Sequence, residues 1–130
     1  MKGQNEQFSI TNTTKGKLPR LPFELMKDAV LGKKYELSLT FIGETRSRNL
    51  TKQYRKKDKV SNVLSFPLDK DSGEIFITPS QAKKEAKLYE NTPNKHMGFL
   101  FIHGLLHLAG FDHGSTMESK EKALRKKFKV

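Results

Sequence analysis

Cysteine is absent from the 130 residues, and so is tryptophan. Without cysteine there is no disulfide framework and no thiolate, which excludes thiol nucleophiles and cysteine-ligated metal sites. No run of about 18 apolar residues occurs, so a hydrophobic membrane-spanning helix is not expected. The N-terminal MKGQNEQFSI lacks the apolar centre of a secretory signal. These absences predict a cytoplasmic protein with no membrane partner. Internal repeats and low-complexity linkers are also missing, so one domain over residues 1–130 is expected. Acidic residues are scarce beside basic ones, 14 Asp and Glu against 25 Lys and Arg, for a net charge of +11. Such an excess attracts polyanions through counterion release. Nucleic acid is the first candidate partner and an anionic membrane surface the second; a solvated, lysine-rich surface is the plain alternative.

What is present is enough for a folded core. Nine phenylalanines and 35% hydrophobic residues argue against disorder. EQFSITNTT (6–14) alternates weakly and reads as an edge strand. Apolar Leu21, Leu25 and Val30 before Gly32 read as a short helix starting near Pro22. KYELSLTFIG alternates Tyr35, Leu37, Leu39 and Phe41, the clearest strand in the chain. ETRSRNLTKQYRKKDK (44–59) reads as an exposed basic helix with a narrow stripe of Leu50 and Tyr54. NVLSFP and EIFIT, separated by the turn DKDSG, read as two further strands.

Thr78, Pro79 and Gln81 form a capping-box pattern opening a helix to about Glu90. Thr92 and Pro93 repeat the start signal for NKHMGFLFIHGLLHLAG, which is apolar nearly all round and therefore buried, with Gly110 as its stop. Ser115 and Glu118 suggest another capping box, before a basic amphipathic helix over 116–127. The expected class is α+β: a small mixed β-sheet with helices packed around a central buried helix.

That central helix carries the chemistry. His103 and His107 are four apart, so they share one helix face, one turn apart. Both imidazoles can reach one ion at zinc–nitrogen distances of about 2.0–2.1 Å. Past Gly110 the chain can double back and present His113. Three histidines hold one zinc ion and leave a fourth position for water, the pattern of a catalytic rather than a structural site. His96, two turns before His103, is too far along the axis to share the ion and reads as a structural residue or a wall of the cleft.

H-x3-H-x5-H is also the spacing of metzincin peptidases, which carry a glutamate base right after the first histidine. Here that position is Gly104. Either the metal makes water acidic enough to need little help, or another group serves. Asp112 is the nearest carboxylate in sequence and is read as an acceptor that orients a ligand ring, or as a turn residue. A metallopeptidase-type zinc hydrolase and a non-enzymatic assembly factor with a structural metal both stay open at this point.

HGLLHLAGFDH (103–113) resembles the H-G-x-L-H-L-x-G-Y-D-H motif of the YbeY family of bacterial endoribonucleases. YRKKDKVSNVLSFP (54–67) is similar to that family's Y-R-x-x-x-x-x-T-D-V-L-S-F-P, and GEIFIT, from Gly73, to its G-D-I-x-I strand. The resemblance implies a metal-dependent endoribonuclease specific for single-stranded RNA. It implies a role in maturing the 3′ end of small-subunit rRNA and in ribosome quality control, with the small subunit and assembly proteins as partners. It implies zinc at His103, His107 and His113, and Arg55 as the catalytic residue. An always-charged guanidinium can fork onto a phosphate. Arg46, Arg48, Lys52, Lys56, Lys57 and Lys59 around it could track an RNA backbone or form a solvated face. The chain departs from the family pattern at Phe111 (Tyr), Ser61 and Asn62 (Thr-Asp) and Glu74 (Asp). Its last helix is also unusually basic.

Overall fold

The computed structural model describes residues 7–130. The reading of MKGQNE as lacking a signal core, and Glu6 of the first strand segment, lie outside the described residues. The architecture is α+β, as the pattern predicts. The chain runs β1 (Phe8–Asn12), α1 (Phe23–Leu31), β2 (Glu36–Phe41), α2 (Glu44–Arg55), β3 (Val63–Asp69), β4 (Ser72–Ile77), α3 (Pro79–Leu88), α4 (Pro93–Leu108), α5 (Ser115–Phe128). The four strands form one mixed sheet in the order β1-β2-β4-β3. β1 pairs parallel with β2 and β2 with β4, while β3 and β4 form an antiparallel hairpin at the edge.

Strand alternation sorts the two faces. Leu37, Leu39 and Phe41 of β2 align with Gly73, Ile75 and Ile77 of β4, which in turn oppose Pro67, Ser65 and Val63 of β3. This face receives α4. Nine of the sixteen α4 residues are buried, and the helix contacts α1, α3, α5, β3 and β4. Leu100, Phe101, Ile102, Leu105 and Leu106 are almost fully enclosed, and each contributes about 1.5–3 kcal/mol by leaving water. The opposite face is smaller: Ile42, Leu64 and Phe76 cluster there, covered by Leu50 of α2 and by Phe66.

Several local expectations need correction. The basic helix α2 stops at Arg55 rather than near 59, because Lys56 takes a left-handed conformation (φ 58°). The position one turn beyond Tyr54 is Asp58, so a longer helix would bury no further apolar side chain. In α1 the inward stripe is Phe23, Met26 and Lys27, whereas Leu25 is 64% exposed. The buried Lys27 ammonium donates to the Lys33 carbonyl and pairs with Asp28. Neither expected capping box forms. Thr78 makes no side-chain cap and Ser115 is already inside α5, with Gly114 at the cap position. Thr92 does cap α4, its hydroxyl accepting from the Lys95 N–H at 3.2 Å.

The end of α4 matters most for function. Gly110 takes φ +97°, the left-handed conformation that glycine adopts without a side-chain clash. Its N–H donates to the His107 carbonyl and that of Phe111 to the Leu106 carbonyl, the paired bonds of a Schellman cap. The chain therefore reverses immediately after the helix and brings residue 113 back alongside it.

Candidate metal centre

His103, His107 and His113 come together at the C-terminal end of α4, each offering a ring nitrogen, all within 4.8 Å of one another. His103 and His107 face each other through their Nε2 atoms at 3.0 Å. The other side of each ring is already held. Glu121 of α5 accepts from His103 Nδ1 at 2.6 Å, and the Phe111 backbone hydrogen-bonds the His107 ring. An imidazole that donates from one nitrogen presents a lone pair at the other. With the far side of each ring held in this way, both Nε2 atoms can turn their lone pairs to one shared cation. A tetrahedral ion with bonds of about 2.0–2.1 Å needs donors roughly 3.3 Å apart. The His103–His107 pair lies close to that spacing, and with His113 within 4.8 Å the cluster could hold one small, nitrogen-preferring cation.

The electrostatics agree. Burial lowers the His107 pKa, and the neighbouring His103 and His113 rings push it down further, only partly opposed by Phe111 and Asp112. The ring is thereby kept in the neutral, ligating form. Asp112, the carboxylate adjacent to a ligand in sequence, is exposed and hydrogen-bonds no ligand ring; Glu121 holds that role instead. Glu121 lies on the inward stripe of α5 with Met117, Leu124 and Phe128. An acid on the apolar face of a basic helix was the available signal, and the basic composition of that helix masked it.

A cleft of about 230 Å³ opens onto the histidines, walled by Val63, Ser65 and Pro67 of β3 and by Asn62, with Arg55 at its rim. Gly104 is explained here. A Cβ at that position would meet Ser65 Oγ at 2.9 Å and Ile75 Cδ1 at 3.2 Å. The residue after the first histidine therefore faces the sheet and not the cleft, and Ser65 donates to the Gly104 carbonyl at 3.1 Å. Helix and strand approach too closely for a glutamate to fit.

Of the α2 cations, Arg55 lines the cleft. It is exposed and has no ion-pair partner among the described residues. Arg46 instead lies over the Phe76 ring at 5.4 Å on the far face of the sheet, and Arg48 pairs with Asp58 at 3.1 Å. Arg55 follows a buried polar staple that holds α2 one and two turns earlier, at Thr51 and Ser47. Ser47 Oγ accepts from the Ser61 N–H and donates to the Ser61 carbonyl, both at 2.9 Å, while the Thr51 and Ser61 hydroxyls meet at 2.7 Å. Ser61 thus ties α2 to the start of β3.

Asn62 enters a second network that sequence reasoning missed. Its amide donates to Glu85 of α3 at 2.9 Å, and the same carboxylate meets His96 Nε2 at 2.9 Å. Burial pushes the Glu85 pKa up, but hydrogen bonds from Asn62, His96 and Gln81 outweigh it and hold the pKa below its ordinary value. His96 is accordingly buried in this neighbouring network and does not line the metal cleft.

A sequence profile described as endoribonuclease YbeY matches residues 2–129. The chain belongs to the YbeY family. The protein named endoribonuclease YbeY from Acholeplasma laidlawii is 37% identical over 106 residues, covering 76% of this chain and 77% of its own length. The one from Mycoplasma capricolum is 36% identical over 96 residues, covering 65% of this chain. The chain spans less than two thirds of several such relatives, 58% of the M. capricolum protein and 66% of that from Alkaliphilus metalliredigens. Among solved structures, TM1509 from Thermotoga maritima superposes with a TM-score of 0.65 at 28% identity, covering 92% of this chain and 87% of that one. The YbeY fold thus accounts for the α+β frame, with the three histidines at the end of its buried helix.

Proposed function

We propose that residues 1–130 act as one hydrolase domain, a metal-dependent endoribonuclease that cuts single-stranded RNA in the cytoplasm. The observation that carries this reading is the convergence of three lone-pair nitrogens beside an unpaired guanidinium, in one cleft of a YbeY-family chain. The resident metal is one zinc ion, because three imidazoles suit it and leave one position open. When bound, that ion supplies Lewis acidity next to the scissile phosphate.

The chain's own residues do the rest. Arg55 is the catalytic residue: its fork takes two phosphate oxygens and stabilises the charge that builds there in the transition state. Glu121 keeps the His103 ring oriented with its lone pair inward. Val63 and Pro67 of β3 wall the cleft, and the preference for a single strand rests on the family resemblance. The substrate is rRNA, at the 3′ end of the small-subunit species, with the small subunit and its assembly proteins as partners and ribosome quality control as the wider role. This rests on the family and on a net charge of +11. A peptidase reading has lost its base, since position 104 faces the sheet.

The test is cleavage of a single-stranded RNA carrying the rRNA 3′ sequence by wild type, His107→Ala and Arg55→Glu, before and after chelation. Activity should vanish in His107→Ala and in chelated wild type and return to wild type with zinc. Arg55→Glu should keep its metal and lose cleavage. Unchanged cleavage by the metal-binding variant would sink the proposal.

A further inference from the structure

A second depression adjoins the metal cleft, and the proposed activity leaves it without a task. It is a cavity of about 600 Å³ between α3 and α4 that shares Asn62 with the cleft. Its lining is aromatic and polar: Tyr89, His96 and Phe99, with Glu85 and Asn91. The rings form a ladder towards the histidine site. Tyr89 stacks on His96 at 5.8 Å and 24°, His96 lies 5.8 Å from Phe99, and Phe99 lies 6.1 Å from His103. Tyr89 is 71% exposed, so a large aromatic face stands open at the mouth.

Beyond it, sharing Phe99 and Arg125, is a third depression between α4 and α5. This one is rimmed by Lys95, Lys122, Lys126 and Lys129, which with Arg125 outnumber its two acids, Glu118 and the His103-bound Glu121. The Arg125 guanidinium sits over the Phe99 ring at 4.7 Å, at the boundary between the two.

We propose that the Tyr89–His96–Phe99 cavity is a base-binding subsite, which holds one nucleobase of the RNA strand next to the nucleotide whose phosphate lies at the histidines. The proposal rests on the endoribonuclease reading and names where the substrate lies. The chemistry of the three depressions alternates as a single strand does. Arg55 and the metal site receive a phosphate. The middle cavity suits a base: the Tyr89 ring face is open, and the acids Glu85 and Glu90 outnumber its one cation, Arg125, which disfavours a phosphate there. The lysine-rimmed groove then receives the next stretch of backbone. Single-stranded nucleic acid is generally held this way, by aromatic faces for the bases and cations along the phosphates. The path runs over α5, not along the basic face of α2, whose Arg46 and Arg48 are occupied elsewhere.

The experiment uses the full chain, chelated so that RNA is bound but not cut. Affinity for a short fluorescein-labelled single-stranded RNA is measured by anisotropy for wild type, Tyr89→Ala, Tyr89→Phe and Leu88→Ala. The last is a control for loss of a neighbouring, 79% exposed apolar side chain. Tyr89→Ala should weaken binding about 5- to 150-fold, the range for loss of one stacked base. Tyr89→Phe should restore binding, and Leu88→Ala should match wild type. An RNA with one abasic nucleotide, moved along the strand, should bind wild type poorly at a single position, and that dip should vanish in Tyr89→Ala. If wild type binds and cleaves RNA while Tyr89→Ala binds equally well with the same abasic profile, the subsite is wrong and the endoribonuclease reading stands. If wild type neither binds nor cleaves RNA, both fall.

Discussion

At the scale of single residues, the histidine cluster is organised by groups outside it. Glu121 fixes the His103 ring through a 2.6 Å contact while 13% of its side chain is exposed. Removing such a partner costs about 10- to 100-fold in metal affinity. Glu121→Gln, which keeps the shape and loses the charge, should fall at the mild end of that range and Glu121→Ala at the severe end. Competition against a colorimetric zinc chelator measures both, and equal affinity in all three proteins would remove Glu121 from the site. The three histidines were legible in the sequence because their geometry is local: four residues along a helix, then a glycine-ended turn. Glu121 was not, because it lies 18 residues from His103 and becomes a partner only when α5 docks on α4.

At the scale of elements, the position of Arg55 depends on how α2 is pinned. The staple of Ser47, Thr51 and Ser61 is fully internal, and Ser47 satisfies both backbone polar groups of Ser61. Ser47→Ala leaves those groups buried without a partner, at a cost of about 1–3 kcal/mol. The variant should melt several degrees lower by calorimetry. The proposed RNA cleavage should slow while bound zinc stays at the wild-type level, because the histidines lie on another element. A change in zinc content with unchanged cleavage would contradict this account of α2. Alternation made β2 readable in advance, and short apolar runs marked β3 and β4, although Pro67 does not end β3, which continues at the sheet edge to Asp69. The two failed capping boxes show the limit of such motifs: Thr78 is buried, and its contribution to α3 is its carbonyl, which accepts from Gln81 and Ala82.

At the scale of the molecule, Glu85 joins the start of β3, α3 and α4 through Asn62, Gln81 and His96. Its pKa in the fold lies below the ordinary 4.5, so the folded state binds that proton less readily than the unfolded chain. The stabilisation is therefore present above about pH 4.5 and is lost as pH falls through the folded value. Melting curves of wild type and Glu85→Gln should differ most near neutrality and converge as the pH is lowered to about 3. Parallel curves throughout would mean that Glu85 contributes no charge-dependent stability. The net charge of +11 was plain from composition, but its distribution was not. Arg46 and Arg48 are turned to local partners, and the groove rimmed by lysines lies between α4 and α5.

Short-range periodicity and side-chain chemistry are enough to specify a buried helix with two histidines on one face, a glycine turn that returns a third, a strand with alternating faces, and an excess of cations. The tertiary structure decided what depends on which elements touch. The close approach of α4 to β3 and β4 turns Gly104 into a packing position where a Cβ would meet Ser65 Oγ at 2.9 Å. The docking of α5 makes Glu121 a histidine partner, and the packing of α3 on α4 gathers Asn62, Glu85 and His96 into one network. Hydrogen bonds and close contacts act over about 3 Å. Residues far apart in the chain acquire them only after the elements have assembled.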